Sequence, residues 1–314
     1  MVLSFQGTNI VLDSGRQQVA LRELQGGKDT LTVYDLQTGE KLLWPWTEAW
    51  LSIVGWTKDS KVKLLVSQER REDIGETLVF ALLDPSNGAV TTLKDELDLP
   101  DYNFERNNPR AGYVSMNGTG DLAVYTAWGT LGIDTVLRDM STGNDLWRHE
   151  AQKAGTTFGG PATWLSDGSK VAFVLASEPG KNSQIVSLTS DGKNLSELTS
   201  RPLADYEDYI VESLLWSPNG TYLFFGLFQD AIGGPGFVLN TMTSEIREVC
   251  DPDATLARAT WVSGQELLMY VVRRQDGAME LRLLDVNAWQ ADVLDTISFD
   301  SPVELVGWTP VELP

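Results

Sequence analysis

The sequence predicts an all-β chain in which six copies of one four-stranded antiparallel unit close into a six-bladed β-propeller. Three observations carry that prediction. A tryptophan–turn–apolar-strand pattern recurs along the 314 residues, a second anchor follows each first one at a nearly constant distance, and the strand after the turn is apolar on both faces. A strand with one wet face would alternate in polarity, so apolarity on both faces means that each small sheet lies between two others. Four-stranded units of about 45–50 residues stacked radially satisfy that requirement.

In chain order, the first anchors are Val11, Trp56, Val114, Trp164, Trp216, Trp261 and Trp308. A turn follows six of them: Asp13-Ser14-Gly15, Lys58-Asp59-Ser60, Met116-Asn117-Gly118, Ser166-Asp167-Gly168, Pro218-Asn219-Gly220 and Ser263-Gly264. Asn-Gly and Asp-Gly suit tight hairpins because both residues tolerate positive φ. The second anchors are Asp35, Asp84, Asp139, Thr189, Asn240 and Asp285, each 24 to 28 residues after its first anchor. The blades so defined span about 8–46, 49–95, 111–151, 161–200, 210–250 and 256–296 of one domain covering 1–314. A closing strand is expected at 301–310, with Thr8–Asp13 competing for the first inner place. A seven-bladed ring with one incomplete blade is the alternative.

The units Trp216-Ser217-Pro218-Asn219-Gly220 and Trp164-Leu165-Ser166-Asp167-Gly168-Ser169-Lys170-Val171-Ala172-Phe173 resemble the TolB-type propeller repeat. This WD-like repeat is similar to those in the propeller domains of prolyl-oligopeptidase-type enzymes. The resemblance covers almost the whole chain and implies a propeller with a central channel serving as a binding platform. The first and third copies depart from it by lacking the tryptophan.

Composition narrows the function. With 24 basic and 44 acidic residues the formal charge is −20, which repels a phosphate backbone and argues against nucleic acid as a partner. One cysteine, Cys250, excludes an internal disulfide and reads as a small buried hydrophobe. One histidine, His149, at an outer strand's end, reads as structural. No apolar run reaches the ~20 residues of a membrane span, and the N-terminus has no signal-peptide pattern. The chain reads as a cytoplasmic monomer, or as secreted or periplasmic if a leader has been removed.

For catalysis there is no Gly-x-Ser-x-Gly elbow, and nothing singles out two carboxylates for acid–base work. No cofactor is expected. The acidic loops could hold a calcium ion, but no Asp-x-Asp-x-Asp-Gly spacing indicates one. Gly233-Gly234-Pro235-Gly236 lacks the helix start of a phosphate cradle and reads as a turn. Asn117, Asn194 and Asn219 match the glycosylation pattern, two of them in hairpin turns.

Loops joining strands one to two and three to four are short, whereas those on the other face are long. Function concentrates on long loops over a rigid scaffold. On that face lie Arg70, Arg71, Arg273 and Arg274, and the loop Lys94–Arg110, whose Asp98, Asp101, Tyr102, Phe104, Arg106 and Arg110 are the candidate partner-binding residues. Tyr206 and Tyr209 repeat the mixture on a later blade. Aromatics and arginine supply much of the binding energy at protein interfaces. The expected function is a non-catalytic scaffold for protein–protein interaction through this face. The alternatives are an enzyme or enzyme-accessory propeller with a small molecule, sugar or peptide in the channel, and a structural subunit of a larger assembly.

Overall fold

The computed structural model describes residues 8–13, 17–25, 28–45, 50–67, 78–97, 114–128, 133–150, 158–176, 184–199, 209–228, 233–251, 254–262 and 264–297. They form 24 strands in six four-stranded antiparallel sheets, a six-bladed β-propeller. Blade one holds β1 (Thr8–Asp13), β2 (Gln18–Gln25), β3 (Lys28–Asp35) and β4 (Lys41–Pro45). Blade two holds β5 (Trp50–Trp56), β6 (Val62–Ser67), β7 (Leu78–Leu83) and β8 (Val90–Leu97). Blade three holds β9 (Val114–Met116), β10 (Leu122–Trp128), β11 (Ile133–Asp139) and β12 (Asp145–His149). Blade four holds β13 (Phe158–Trp164), β14 (Lys170–Ala176), β15 (Gln184–Thr189) and β16 (Leu195–Thr199). Blade five holds β17 (Ile210–Trp216), β18 (Tyr222–Phe228), β19 (Gly236–Asn240) and β20 (Ile246–Glu248). Blade six holds β21 (Ala254–Trp261), β22 (Leu267–Arg274), β23 (Met279–Asp285) and β24 (Gln290–Ile297). Every blade is four consecutive strands, and the head strand β1 pairs with β2 in the first inner place. The proposed closing strand 301–310 lies outside the described residues.

Burial follows strand rank. In β18 the five residues from Leu223 to Leu227 are all buried, while β20 is largely exposed. Phe225 packs into a cluster with Ala172, Val174 and Ile185 of blade four, and its neighbour Phe224 into one with Leu268 and Tyr270 of blade six. Both rings are fully buried. Each contributes about 1.5–3 kcal/mol by leaving water.

The second anchors cap the outer hairpins. Oδ1 of Asp35 accepts the N–H groups of Gln37 and Thr38, and Oδ1 of Asp139 those of Ser141 and Thr142. Asn240 and Asp285 do the same for Met242 and Thr243, and for Asn287 and Ala288. A short side-chain acceptor is what such a turn needs, which is why the position is small and polar. The Thr38 amide and the other turn donors hold the Asp35 carboxyl below its usual range.

The pairing register corrects two first anchors. Trp56, Trp164, Trp216 and Trp261 stand opposite Val62, Val171, Leu223 and Leu268. The same place is held by Leu12, opposite Val19, and by Met116, opposite Ala123, rather than by Val11 and Val114. With the indole absent, neighbouring apolar residues were indistinguishable in the sequence.

The tryptophans join blades. Nε1 of Trp56 donates to the Val11 carbonyl of blade one at 3.0 Å. Trp164 donates to Ser115 of blade three at 3.1 Å, and Trp261 to Leu215 of blade five at 3.0 Å. Nε1 of Trp216 is buried without an acceptor. Blade three, which has Met116 instead, is joined from the other side. Lys63 of β6 is 5% exposed and donates from Nζ to the carbonyls of Met116 at 3.0 Å and Asn117 at 2.9 Å. Burial pulls its pKa down to about 8.

Two expectations follow from these joints. Trp56→Phe and Trp216→Phe lose the same ring volume, but only the first strips a donor from a waiting carbonyl. Chemical denaturation should show Trp56→Phe less stable than Trp216→Phe by about 1 kcal/mol; equal stabilities would refute the clamp. Lys63 binds its proton more weakly folded than unfolded, so its contribution to stability is lowest below pH 8. It rises as the pH climbs towards the unfolded value of 10.5, by up to about 3 kcal/mol. The stability of the wild type relative to Lys63→Met should therefore increase over that interval; a constant difference would refute it.

Candidate interaction face

Short turns and long connections leave the ring on opposite faces. On the short-turn face successive blades are tied together. Lys58 N–H donates to the Gly118 carbonyl at 2.6 Å, Ser166 Oγ to the Pro218 carbonyl at 3.1 Å, and Asn219 N–H to Glu266 Oε1 at 3.1 Å. These bonds join blade two to three, four to five and five to six.

On the opposite face lie the strand ends from which the long connections leave, among them the C-terminal end of β8 and the N-terminal end of β9. Asp98, Asp101, Tyr102, Phe104, Arg106, Arg110 and Tyr206 lie outside the described residues, as do Arg70 and Arg71. Tyr209 is described. It sits immediately before β17, half-buried, against the cluster that holds Val174, Ile185 and Val211. Its ring edge lies 3.1 Å from where a Cβ on Gly234 would stand.

Gly233–Gly236 does more than turn. Leu256 N–H of β21 donates to the Gly234 carbonyl at 2.8 Å, and the two residues form an isolated antiparallel bridge. Leu227 N–H donates to the Pro235 carbonyl at 2.9 Å. The segment therefore straps blade five to the inner strand of blade six. A Cβ at Gly234 would lie 2.3 Å from the Leu227 carbonyl oxygen, so only glycine fits this approach.

Two ionic networks brace the outer strands, and neither was apparent in the sequence. In blade three, Arg148 reaches Asp134 Oδ2 and Asp145 Oδ2, both at 2.7 Å, while Arg138 Nε meets Asp145 Oδ1 at 2.7 Å. Burial alone would raise the Asp145 carboxyl; the two guanidinium groups outweigh it and hold it below its usual range. In blade six, Arg282 joins Glu280 at 2.6 Å and Asp251 at 2.8 Å. Arg274, at the β22–β23 hairpin, lies 3.6 Å from the same Asp251. A polar residue at an inward place of an apolar strand, as at Asp134 and Arg282, was the only sequence signal.

The single cysteine and the single histidine are structurally engaged. Cys250 is buried, and desolvation pushes its thiol up to about 11. The His149 ring stacks on Trp147 at 6.1 Å. Among the described residues no three His, Cys, Asp or Glu side chains converge as a metal site, and no helix is long and apolar enough to cross a membrane.

No family model and no curated protein matches the sequence. Solved structures match the fold. TolB from Acinetobacter baumannii aligns with a TM-score of 0.54 at 16% identity over 91% of this chain and 65% of its own. The β-propeller domain of the Trilobed protease from Pyrococcus furiosus aligns at 0.58 and 15%, over 94% of this chain and 86% of that one. An oligogalacturonate lyase from Vibrio parahaemolyticus aligns at 0.57 and 11%, over 92% and 72%. At these identities the likeness is one of fold. This chain is a six-bladed β-propeller whose fold is similar to that of TolB and of the Trilobed protease's propeller domain.

Proposed function

We propose that this propeller is a protein-interaction scaffold working through its long-loop face. The fold alone does not select this role, since TolB, peptidases and a lyase share it. The observation that carries the reading is the asymmetry of the two faces. On the short-turn face, hydrogen bonds tie blade two to three, four to five and five to six. The strand ends of the other face lead into connections whose sequences are rich in aromatic residues and arginine, and such residues dominate interface energetics. The partner-binding residues would be Asp98, Asp101, Tyr102, Phe104, Arg106, Arg110, Tyr206 and Tyr209, with the first six acting as one loop.

Capture of binding proteins from native lysate, compared between the wild type and Tyr102→Ala/Arg106→Ala, tests this. A specific partner should be retained by the wild type and lost by the double variant, with unfolding temperatures equal within a degree or two, as expected of surface substitutions. A partner held equally by both would place the contact elsewhere, and thermal-shift screening of small ligands would then address the channel.

A further inference from the structure

A cleft of about 100 Å³ opens between blades five and six, at the ends of the strands that carry the short turns. It is lined by Tyr222, Asn240, Glu245 and Arg247 of blade five and by Asn287 and Trp289 of the β23–β24 turn. Trp289 has φ of +53°, in the left-handed region. The same place, four residues after the second anchor, is glycine in three other blades (Gly39, Gly88 and Gly143, at φ near +74°) and Ser244, at +59°, in blade five. A bulky side chain in that conformation is strained, and such outliers cluster where a side chain is held for a purpose. Here the indole lies beneath the Arg247 guanidinium, 5.0 Å from it.

The hydrogen-bond inventory of the cleft is weighted towards donors, with the Glu245 carboxylate as the charged acceptor among its lining residues. Asn240 has committed its Oδ1 to the amides of Met242 and Thr243, which leaves Nδ2 unused. Asn287 has committed its Oδ1 to the Tyr222 hydroxyl at 3.0 Å, again leaving Nδ2. Arg247 uses only Nε, to Glu245 Oε1 at 2.7 Å, and keeps the Nη1/Nη2 fork. Two amide NH2 groups and a guanidinium fork thus line one small space with donors to spare. Trp289 and Glu245 fix the arginine in place. Such a fork matches a carboxylate in charge and spacing, and the volume admits a group of that size.

We propose that this cleft binds a carboxylate, presented by a small organic acid or by the C-terminus of a peptide. Its acceptors would meet the Arg247 fork, with the Asn240 and Asn287 amides completing the shell. The site is independent of the long-loop face. Glu245 and the overall charge of −20 oppose an anion, so binding is weak and depends on preorganised donors.

The test is a titration of the 15N-labelled protein with acetate at constant ionic strength, followed through the side-chain N–H resonances of Arg247, Asn240 and Asn287. Acetamide is the uncharged control. These resonances should move saturably with acetate and not with acetamide. Arg247→Gln and, separately, Asn287→Ala should each weaken binding, the first by about tenfold or more. Circular dichroism confirms that both variants fold. Succinate and a tripeptide with a free or amidated C-terminus separate the two sources: tighter binding of one identifies it. No saturable movement, an equal response to acetamide, or unchanged affinity in both variants would overturn the proposal.

Discussion

Phe224 and Phe225 are adjacent in β18, and both are sealed from water, one against blade six and the other against blade four. Consecutive strand residues point to opposite faces, so this pair requires a sheet on each side of its own. Phe173 and Val174 in β14, and Tyr270 and Val271 in β22, repeat the arrangement. A single blade would expose one apolar face to solvent at each such strand. A ring of blades removes that cost for all of them, and the four-strand repeat, the hairpin turns and the exposed outer strands are consistent with this one condition.

Apolar burial joins the blades without fixing their register, and polar bonds supply the register. Three indoles reach back to the carbonyl of the preceding inner strand. Where Met116 replaces the indole, the buried ammonium of Lys63 reaches forward to two carbonyls instead. The solutions differ in kind. An indole N–H keeps its proton at every accessible pH, whereas an ammonium pays for desolvation and titrates. The blade two–three joint is therefore chemically distinct from the others.

The architecture was legible because its signals are local. Tryptophan, Asx-Gly turns and apolar strands repeat within a few residues, and the small polar second anchor has a local cause in the turn amides that it caps. Non-local features were not legible. Gly233–Gly236 looks like a turn in sequence, yet it bridges to Leu256 of the next blade. Val11 and Val114 stood as first anchors because nothing local separates them from Leu12 and Met116; cross-strand pairing does. The partners of Arg148 and Arg282 lie on other strands and loops. Of the candidate partner-binding residues, Tyr209 alone is described, and its half-burial beside Gly234 makes it a support for the face as well as a part of it.

Native-state hydrogen exchange on the middle strands β2, β6, β10, β14, β18 and β22 tests the central claim most directly. If burial between blades is what stabilises each sheet, their amides share one opening free energy, equal to that of global unfolding, because no blade can open without exposing its neighbours. Six strands exchanging together under increasing denaturant would be the expected result. Blades exchanging separately, each with its own free energy well below the global value, would show that each sheet stands alone and would contradict the account.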